Sequence, residues 1–527
     1  MHYKLYKKER LNPPYDAIVI GSGIGGLSTA ALLAKAGKKV IVLERHYVAG
    51  GFTHTFQRKG YEWDVGLHYV GEVHRPHSIL RKIFDYITDQ QLQWAEMAST
   101  YDRIIFGKES YNFVSGKKNL IKKLVEYFPE EKMAIEQYFQ AVESCAKSAK
   151  NFFMEKSLPS FISKIASPFL SKSFLEYSNQ TTQEVLSKLT QNQKLIGLLT
   201  AQYGDYGLIP DESSFAIHAM VNKHYFEGGA YPVGGSGKIA ETILPVIEGS
   251  GGTILVKAEV KELLWKNKTV TGVRLQNGDE IQAPMVISST GVLHTYQKLI
   301  PENLQKEAGL KDKLKQVRPS LAHLCIYIGL KESAENLGFE KTNLWIYPDY
   351  DHNTNMRNYQ KDPASPLPLV YISFPSAKDP SWNERFPGRA TIEVIGMAPY
   401  EWFEKWKDQP WNKRGEDYEN YKKQLSERLL EVVFQHLPQI KDKIDHIELS
   451  TPLSTQHFCN YSRGEIYGID HTPQRFQQKW LRPQSPFKGL YLTGQDIVTD
   501  GIGGALMAGV LTASTVLKKN IIKVILS

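Results

Sequence analysis

The chain has 527 residues, 42% of them hydrophobic and 23% charged, with a formal net charge of +8. It is long enough for more than one core and too mixed for a disordered chain, and no dense basic and aromatic stripe marks it as a nucleic-acid binder. Cys145, Cys325 and Cys459 are the only cysteines and form no C-x-x-C, so zinc and thioredoxin-like chemistry lack support, no metal site is expected, and a reducing cytoplasm fits.

Residues 1–10 carry Lys4, Lys7, Lys8 and Arg10 without an apolar run, so we expect no signal peptide. No stretch reaches transmembrane length. Lys518, Lys519 and Lys523 repeat the basic pattern at the other end. These cations suit either solvated termini or attraction to an anionic membrane.

Residues 17–20 form a short apolar run that reads as a buried parallel strand. Gly21, Gly23 and Gly26 follow as G-x-G-x-x-G, then an Ala/Leu-rich helix, then a second strand over 40–43 that ends at Glu44. This order suits a dinucleotide. Gly21 permits the tight turn, Gly23 lets backbone approach a pyrophosphate, and Gly26 lets helix pack on strand. Glu44 is placed to accept from an unphosphorylated ribose. The plain alternative is an ordinary βαβ unit with a glycine turn.

Gly50-Gly51 and then His68-Tyr69 follow. The paired glycines suggest backbone close to a cofactor, and His68 and Tyr69 suit either a reacting centre or ordinary structural bonds. From about 85 to 230 the pattern is helical and mixed. Residues 151–170 are rich in large apolar side chains, but Pro159 and Pro168 argue against one long helix. Short amphipathic pieces are expected, lining a tunnel, touching lipid, or capping the core. Residues 231–241 imitate a P-loop but have Pro232 at the first glycine position and Ile239 after Lys238, so they read as a loop entering a helix.

Residues 253–265 and 269–275 read as paired strands, with Asn277-Gly278 as a hairpin turn. A buried strand begins near Met285. Strands are expected over 321–330 and 369–374, a loop over 351–362, and an amphipathic helix over 418–437. The last unit is a strand ending at Gly494, a loop with Asp496, and a helix opened by Gly503, Gly504 and Ala505 and running to about Lys519. Asp496 suits a polyol hydroxyl, and the helix N-terminus suits electron density on a flavin ring.

The N-terminal fingerprint, central meander and C-terminal Gly-Gln-Asp loop resemble the FAD-binding domain of the amine oxidase and phytoene desaturase superfamily. Gly50-Gly51-Phe-Thr-His-Thr-Phe56, Asp64-Val-Gly-Leu-His68-Tyr69, Phe374-Pro-Ser-Ala-Lys-Asp-Pro-Ser-Trp382, Phe386-Pro-Gly-Arg389, Tyr400-Glu-Trp-Phe403, Thr451-Pro-Leu-Ser454, Arg463-Gly-Glu-Ile-Tyr-Gly468 and Leu492-Thr-Gly-Gln-Asp496 narrow the likeness to the retinol saturase family, over nearly the whole chain. Carotenoid isomerases and desaturases are one step away. One departure is Phe52, where the superfamily often has Arg. Another is the missing secretory leader, from which a microbial enzyme is expected, with a natural substrate that need not be retinol.

The resemblance implies an α/β fold, with a discontinuous Rossmann-like FAD-binding domain over 1–85, 232–300 and 480–527. A second, α+β substrate and membrane-facing domain would occupy 86–231 and 301–479. Gly21, Gly23 and Gly26 would take the pyrophosphate, Glu44 the ribose, Val260 the adenine, Asp496 the ribityl region and Gly503–Ala505 the flavin ring. Ser22, Gly25, Arg45, Gly51, Thr53 and Gly494 complete the expected FAD set.

The implied reaction is saturation of one C=C bond in an apolar polyene by hydride from reduced flavin, with NAD(P)H as a transient donor, in a cytoplasmic enzyme held peripherally on a membrane. Isomerisation and desaturation share the same site, and a flavoprotein that binds an isoprenoid without turnover is the rival of another class. No catalytic acid stands out. His68, Tyr69, Tyr203 and Asp205 are the candidates, each with a structural role as its alternative.

Overall fold

The computed structural model describes residues 3–158 and 160–527. Its organising layer is a six-stranded, wholly parallel sheet. The strand order is Lys4–Leu5, Thr253–Val256, Val40–Glu44, Ala17–Ile20, Val286–Ser288 and Leu490–Leu492. The central strands are buried along their whole length, which is why they read as unbroken apolar runs rather than as alternation. Helices Ile24–Lys35, Lys238–Glu248 and Gly501–Leu517 cover one face, where Leu27, Ile243 and Leu506 join one core. The meander Val260–Lys266, Thr269–Leu275 and Glu280–Gln282 covers the other.

A second sheet of seven strands runs Ile444–Ser450, Ala322–Leu330, Ala390–Ala398, Val370–Ser373, Asn343–Tyr347, Thr100–Phe106 and Glu109–Val114. Leu324, Ile326 and Ile328 pack under the helix Glu416–His436 through Leu425, Leu429 and Val433. Strand side chains alternate between faces. The opposite face accordingly presents His323, Trp345, Tyr371, Ile395 and Met397 to a cavity shared with the parallel sheet. A helical layer beside it is built on the long helix Lys132–Lys156.

Several expectations are corrected. Residues 253–265 are two strands, not one. Lys257, at φ 55°, breaks them, and the first joins the parallel sheet while the second starts the meander. The expected loop at 351–362 is the helix His352–Lys361. Asp351 caps it by accepting from Thr354 N–H at 3.0 Å, and His352, Met356 and Tyr359 form one buried face. Tyr231 and Pro232 end a short strand, Gly229–Pro232, before the turn into the helix Lys238–Glu248. Residues 151–156 finish the long helix rather than forming a separate piece, and Pro168 lies inside the next one, Ser160–Leu170. Pro159 lies outside the described residues. The C-terminal helix stops at Leu517 because Lys518 turns left-handed, and a second short helix, Ile521–Leu526, follows. Among the described residues no helix is long and apolar enough to cross a membrane.

Candidate active site

The glycine loop after Ala17–Ile20 is built by three different constraints. Gly21 sits at φ +90°, a conformation that side chains resist. A Cβ on Gly26 would overlap the Gly21 carbonyl oxygen, so helix and strand meet only through glycine. A Cβ on Gly23 would meet nothing within 4 Å, because Gly23 faces a cavity of about 1600 Å³. A single small-molecule site occupies roughly 300–1,000 Å³, so this space has room for a cofactor and a second ligand.

Two helix N-termini open into that cavity. Gly23, Ile24 and Gly25 line it at the start of the helix Ile24–Lys35, and Gly503, Gly504 and Ala505 line it at the start of Gly501–Leu517. Neither first turn has a side-chain cap. The free N–H groups of both therefore face the same space with the positive ends of their dipoles. Asp500, at the N-cap of the second helix, is buried with both carboxylate oxygens unpartnered and lines the cavity. Free donors at one end suit a pyrophosphate, and free donors at the other suit the electron-rich edge of a flavin ring. The residues present fit FAD.

The other expected cofactor residues divide into a lining and a supporting set. Thr53 and Gly494 line the cavity. Gly51 stands so close to Gly23 that a Cβ on it would come within 2.9 Å of the Gly23 Cα. Glu44 accepts from the N–H and hydroxyl of Ser22, at 2.9 and 2.6 Å, and from His46 N–H at 2.7 Å. Ser22 Oγ in turn accepts from Gly50 N–H at 3.0 Å. Glu44 and Ser22 thus lock the two glycine loops together. Asp496 accepts from Val292 N–H at 2.7 Å and Ile469 N–H at 3.0 Å, which ties the last strand's loop to two others. Arg45 donates to the carbonyls of His457 and Phe458 at 2.8 and 3.2 Å. Arg45, Asp496 and Val260 do not line this cavity.

Of the four candidate catalytic residues, His68, Tyr69 and Asp205 line the cavity. Tyr203 does not. It is fully buried, its ring packs on His352 and Tyr347, and its hydroxyl has no partner. Tyr203 and Asp205 share one tight 3₁₀ turn, Tyr203–Asp205, where neighbouring side chains diverge, so only one end of the turn faces the cavity.

Around these groups lies a buried polar cluster. Tyr69 donates to Asp102 at 2.9 Å, and its hydroxyl oxygen lies 3.5 Å from Asp205 Oδ2. Asp102 also accepts from Gln202 and Asn343, each at 2.9 Å. His68 Nδ1 lies 2.8 Å from Glu393 Oε2, and the other Glu393 oxygen accepts from Asp64 N–H at 2.7 Å. Lys378 donates to the His68 carbonyl at 2.9 Å, to Ser373 at 2.8 Å and to Asn343.

Burial decides the protonation of this cluster. It raises Glu393 to about 8 and lowers His68 to about 3. At neutral pH their contact is therefore a hydrogen bond between uncharged groups, with Glu393 as donor. Burial raises Asp64 to about 7 and Asp102 to about 6. Asp205 is held well above the carboxylate range by burial, then by the nearby Asp102 and Asp500 charges, so it is a neutral acid facing the cavity.

Asp64, Asp102, Lys378, Glu393 and Asp500 were not foreseen. Glu393 did leave a signal, as the one charge inside the strand Ala390–Ala398, and Asp102 sits in a similar strand. From Gly504 the cavity follows one face of the last helix through Met507, Leu511, Ser514 and Lys518. That path is about 21 Å at 1.5 Å per residue.

Known proteins resemble the chain over nearly its whole length. Residues 24–517 match the family model "Flavin containing amine oxidoreductase". The chain is 38% identical to an all-trans-retinol 13,14-reductase from Danio rerio, over 97% of this chain and 87% of that one. It is 26% identical to prolycopene isomerase 1 of an Oncidium hybrid cultivar, over 95% and 84%. An oxidoreductase structure from Methanosarcina mazei superposes with a TM-score of 0.63 at 19% identity, covering 95% of this chain and all of that one, and shares the fold. The chain is therefore an FAD-dependent oxidoreductase and belongs to the family of flavin containing amine oxidoreductases.

Proposed function

We propose that the protein saturates one C=C bond of an apolar, extended polyene, retinol- or carotenoid-like. The observation that carries this reading is the continuity of the cavity. It runs from two flavin-suited helix N-termini into a channel walled by Met507, Val510 and Leu511, long enough for a stretched isoprenoid. The similarity to a retinol reductase over 97% of the chain supports the same reaction type.

When bound, FAD in its reduced form supplies the hydride that one alkene carbon takes. The remaining work falls to the chain. Residues 1–85, 232–300 and 480–527 hold the cofactor, with Gly21, Gly23, Gly26 and Glu44 at its nucleotide end and Gly503–Ala505 at the ring. Residues 86–231 and 301–479 build the substrate side. Asp205, neutral and facing the cavity, gives its proton to the second alkene carbon, and the product gains two hydrogens. Tyr69 and Asp102 stand behind Asp205 as the route by which a proton returns to it. His68 lines the cavity beside Tyr69, and its contact with the neutral Glu393 keeps that stretch of wall uncharged. The apolar channel holds the alkene in line and excludes water.

The test is anaerobic. Purified holoprotein is reduced and mixed with all-trans-retinol or a carotenoid, and product mass and absorption are followed. A gain of two hydrogens, a blue-shifted polyene band and reoxidised flavin establish the saturase. Unchanged mass with a new retention time establishes an isomerase, the reading favoured by the likeness to a prolycopene isomerase. Untouched polyene overturns both and leaves a binding protein. NAD(P)H is the first electron donor to offer under turnover, and a membrane surface is the expected source of substrate.

A further inference from the structure

Six of the ten large apolar side chains exposed among the described residues sit at one place. Met154 ends the long helix Lys132–Lys156. Ile162, Ile165 and Phe169 are on Ser160–Leu170, and Val524 and Leu526 are on Ile521–Leu526. Phe169 is 82% exposed and Ile165 72%. These segments surround the outer end of the channel, which Met154, Leu158, Leu170, Ile522 and Leu526 line. They are anchored rather than loose. Arg482 donates to Ser163 at 2.9 Å and to the Leu158 carbonyl at 2.8 Å, and Asn520 caps the last helix by accepting from Lys523 N–H.

Charge is distributed unevenly along the same cavity. Its two lining acids, Asp205 and Asp500, lie at the flavin end, and its lining lysines, Lys150, Lys518, Lys519 and Lys523, lie at the outer end. All four lysines are exposed, and among the described residues none makes an ion pair. Exposed apolar side chains ringed by unpaired cations are what an anionic bilayer surface holds.

We infer that this rim is a docking face for an anionic bilayer, seated so that the channel mouth opens into the acyl region. The inference rests on the polyene reading, which gives the channel its cargo, and it adds which surface meets the membrane and in what orientation. Ile165, Phe169, Val524 and Leu526 enter the acyl boundary. The lysines meet phosphate and carboxylate headgroups, and the substrate passes along Ser514 and Leu511 towards Gly504 without crossing water.

Vesicle flotation of the holoprotein tests it, with phosphatidylcholine vesicles lacking or containing phosphatidylserine. The expected result is flotation on the anionic vesicles that declines with salt. Lys518→Gln with Lys519→Gln and Lys523→Gln lowers that partition by about 100-fold, at about fivefold per cation. Ile165→Ser with Phe169→Ser and Val524→Ser abolishes it. Lys361→Gln with Lys423→Gln and Lys441→Gln, exposed lysines outside the cavity, leaves it unchanged. The serine variant still turns over detergent-dispersed polyene at the parent rate, which shows that it is folded and that its defect is docking.

Parent protein that stays unbound on both vesicles overturns the inference, as does equal loss in the remote lysine variant. So does a concentration-dependent dimer that the Phe169→Ser change dissolves, because the face would then cover a second copy. Flotation without turnover of any polyene leaves the docking face standing and sinks the substrate reading. Turnover of dispersed polyene without flotation does the reverse.

Discussion

Gly23 and Gly26 lie three residues apart in one fingerprint, yet the structure assigns them opposite consequences for substitution. A Cβ on Gly26 overlaps the Gly21 carbonyl and comes within 3.1 Å of the Ser289 side chain. The carbonyl belongs to backbone at the end of a central strand and cannot step aside. Overpacking of this kind costs about 1–3 kcal/mol, offset by about 1 kcal/mol of helix propensity that alanine gains over glycine. With an immovable backbone oxygen as the partner the upper half of that range applies, so Gly26→Ala destabilises by roughly 1–2 kcal/mol, a thermal midpoint lower by a few degrees at most in a chain this long. A Cβ on Gly23 meets no protein atom within 4 Å, and its φ of −61° is open to any residue. Gly23→Ala should leave the apoprotein's midpoint unchanged and fill space that the cofactor needs. Differential scanning fluorimetry on apoprotein, paired with FAD titration by flavin fluorescence, separates the two effects. Equal midpoints for Gly26→Ala and parent, or a Gly23→Ala apoprotein that melts early while binding FAD normally, would refute this division of roles.

Asp205→Asn should lower the rate of product formation by about 10²–10⁴-fold, the range for a lost general acid, with flavin absorbance unchanged; stopped-flow reoxidation checks it. Burial raises Asp102, Asp64 and Glu393 to about 6, 7 and 8. For these three groups the folded state binds protons that the unfolded state releases near pH 4, so their contribution to stability is full at low pH within this window and is lost as pH rises through the folded values. Buried histidines such as His68, lowered to about 3, contribute with the opposite sign below about pH 6.5, so the readout is a difference: relative to Glu393→Gln, which keeps both of that residue's hydrogen bonds, the parent's thermal midpoint should fall as pH rises from about 5 to 8. Ser514→Trp should obstruct the channel, raising KM for long polyenes more than for short alkenes and leaving FAD affinity as it was; steady-state kinetics on a chain-length series reads this out.

The cofactor end of the site was legible because its signals are local. A strand, a glycine turn and a helix that touch one another within thirty residues announce themselves by spacing, and Gly21, Gly23, Gly26 and Glu44 needed no distant partner to be noticed. The break at Lys257 and the helix at 352–361 were missed for a related reason. A left-handed lysine has no composition signal, and the buried face of His352, Met356 and Tyr359 is hidden in a polar segment. Tyr203 and Asp205 looked alike in sequence, and only the turn that carries them decided which one faces the cavity.

By itself the chain's order of residues determined the parallel sheet, its glycine loops and the need for a nucleotide, because short apolar runs and φ-restricted turns constrain their own neighbourhoods. The family likeness then set the chemistry to be expected of them. Tertiary structure alone decided the polar cluster beside the cavity. Tyr69 meets Asp102, His68 meets Glu393 and Lys378 meets the His68 carbonyl across separations of up to 325 residues. Whether an acid is charged depends on what buries it. Burial is a property of the packed molecule, so a neutral Asp205 at the end of a 21 Å channel (at about 1.5 Å per helical residue) exists only once both sheets and the last helix have closed around it.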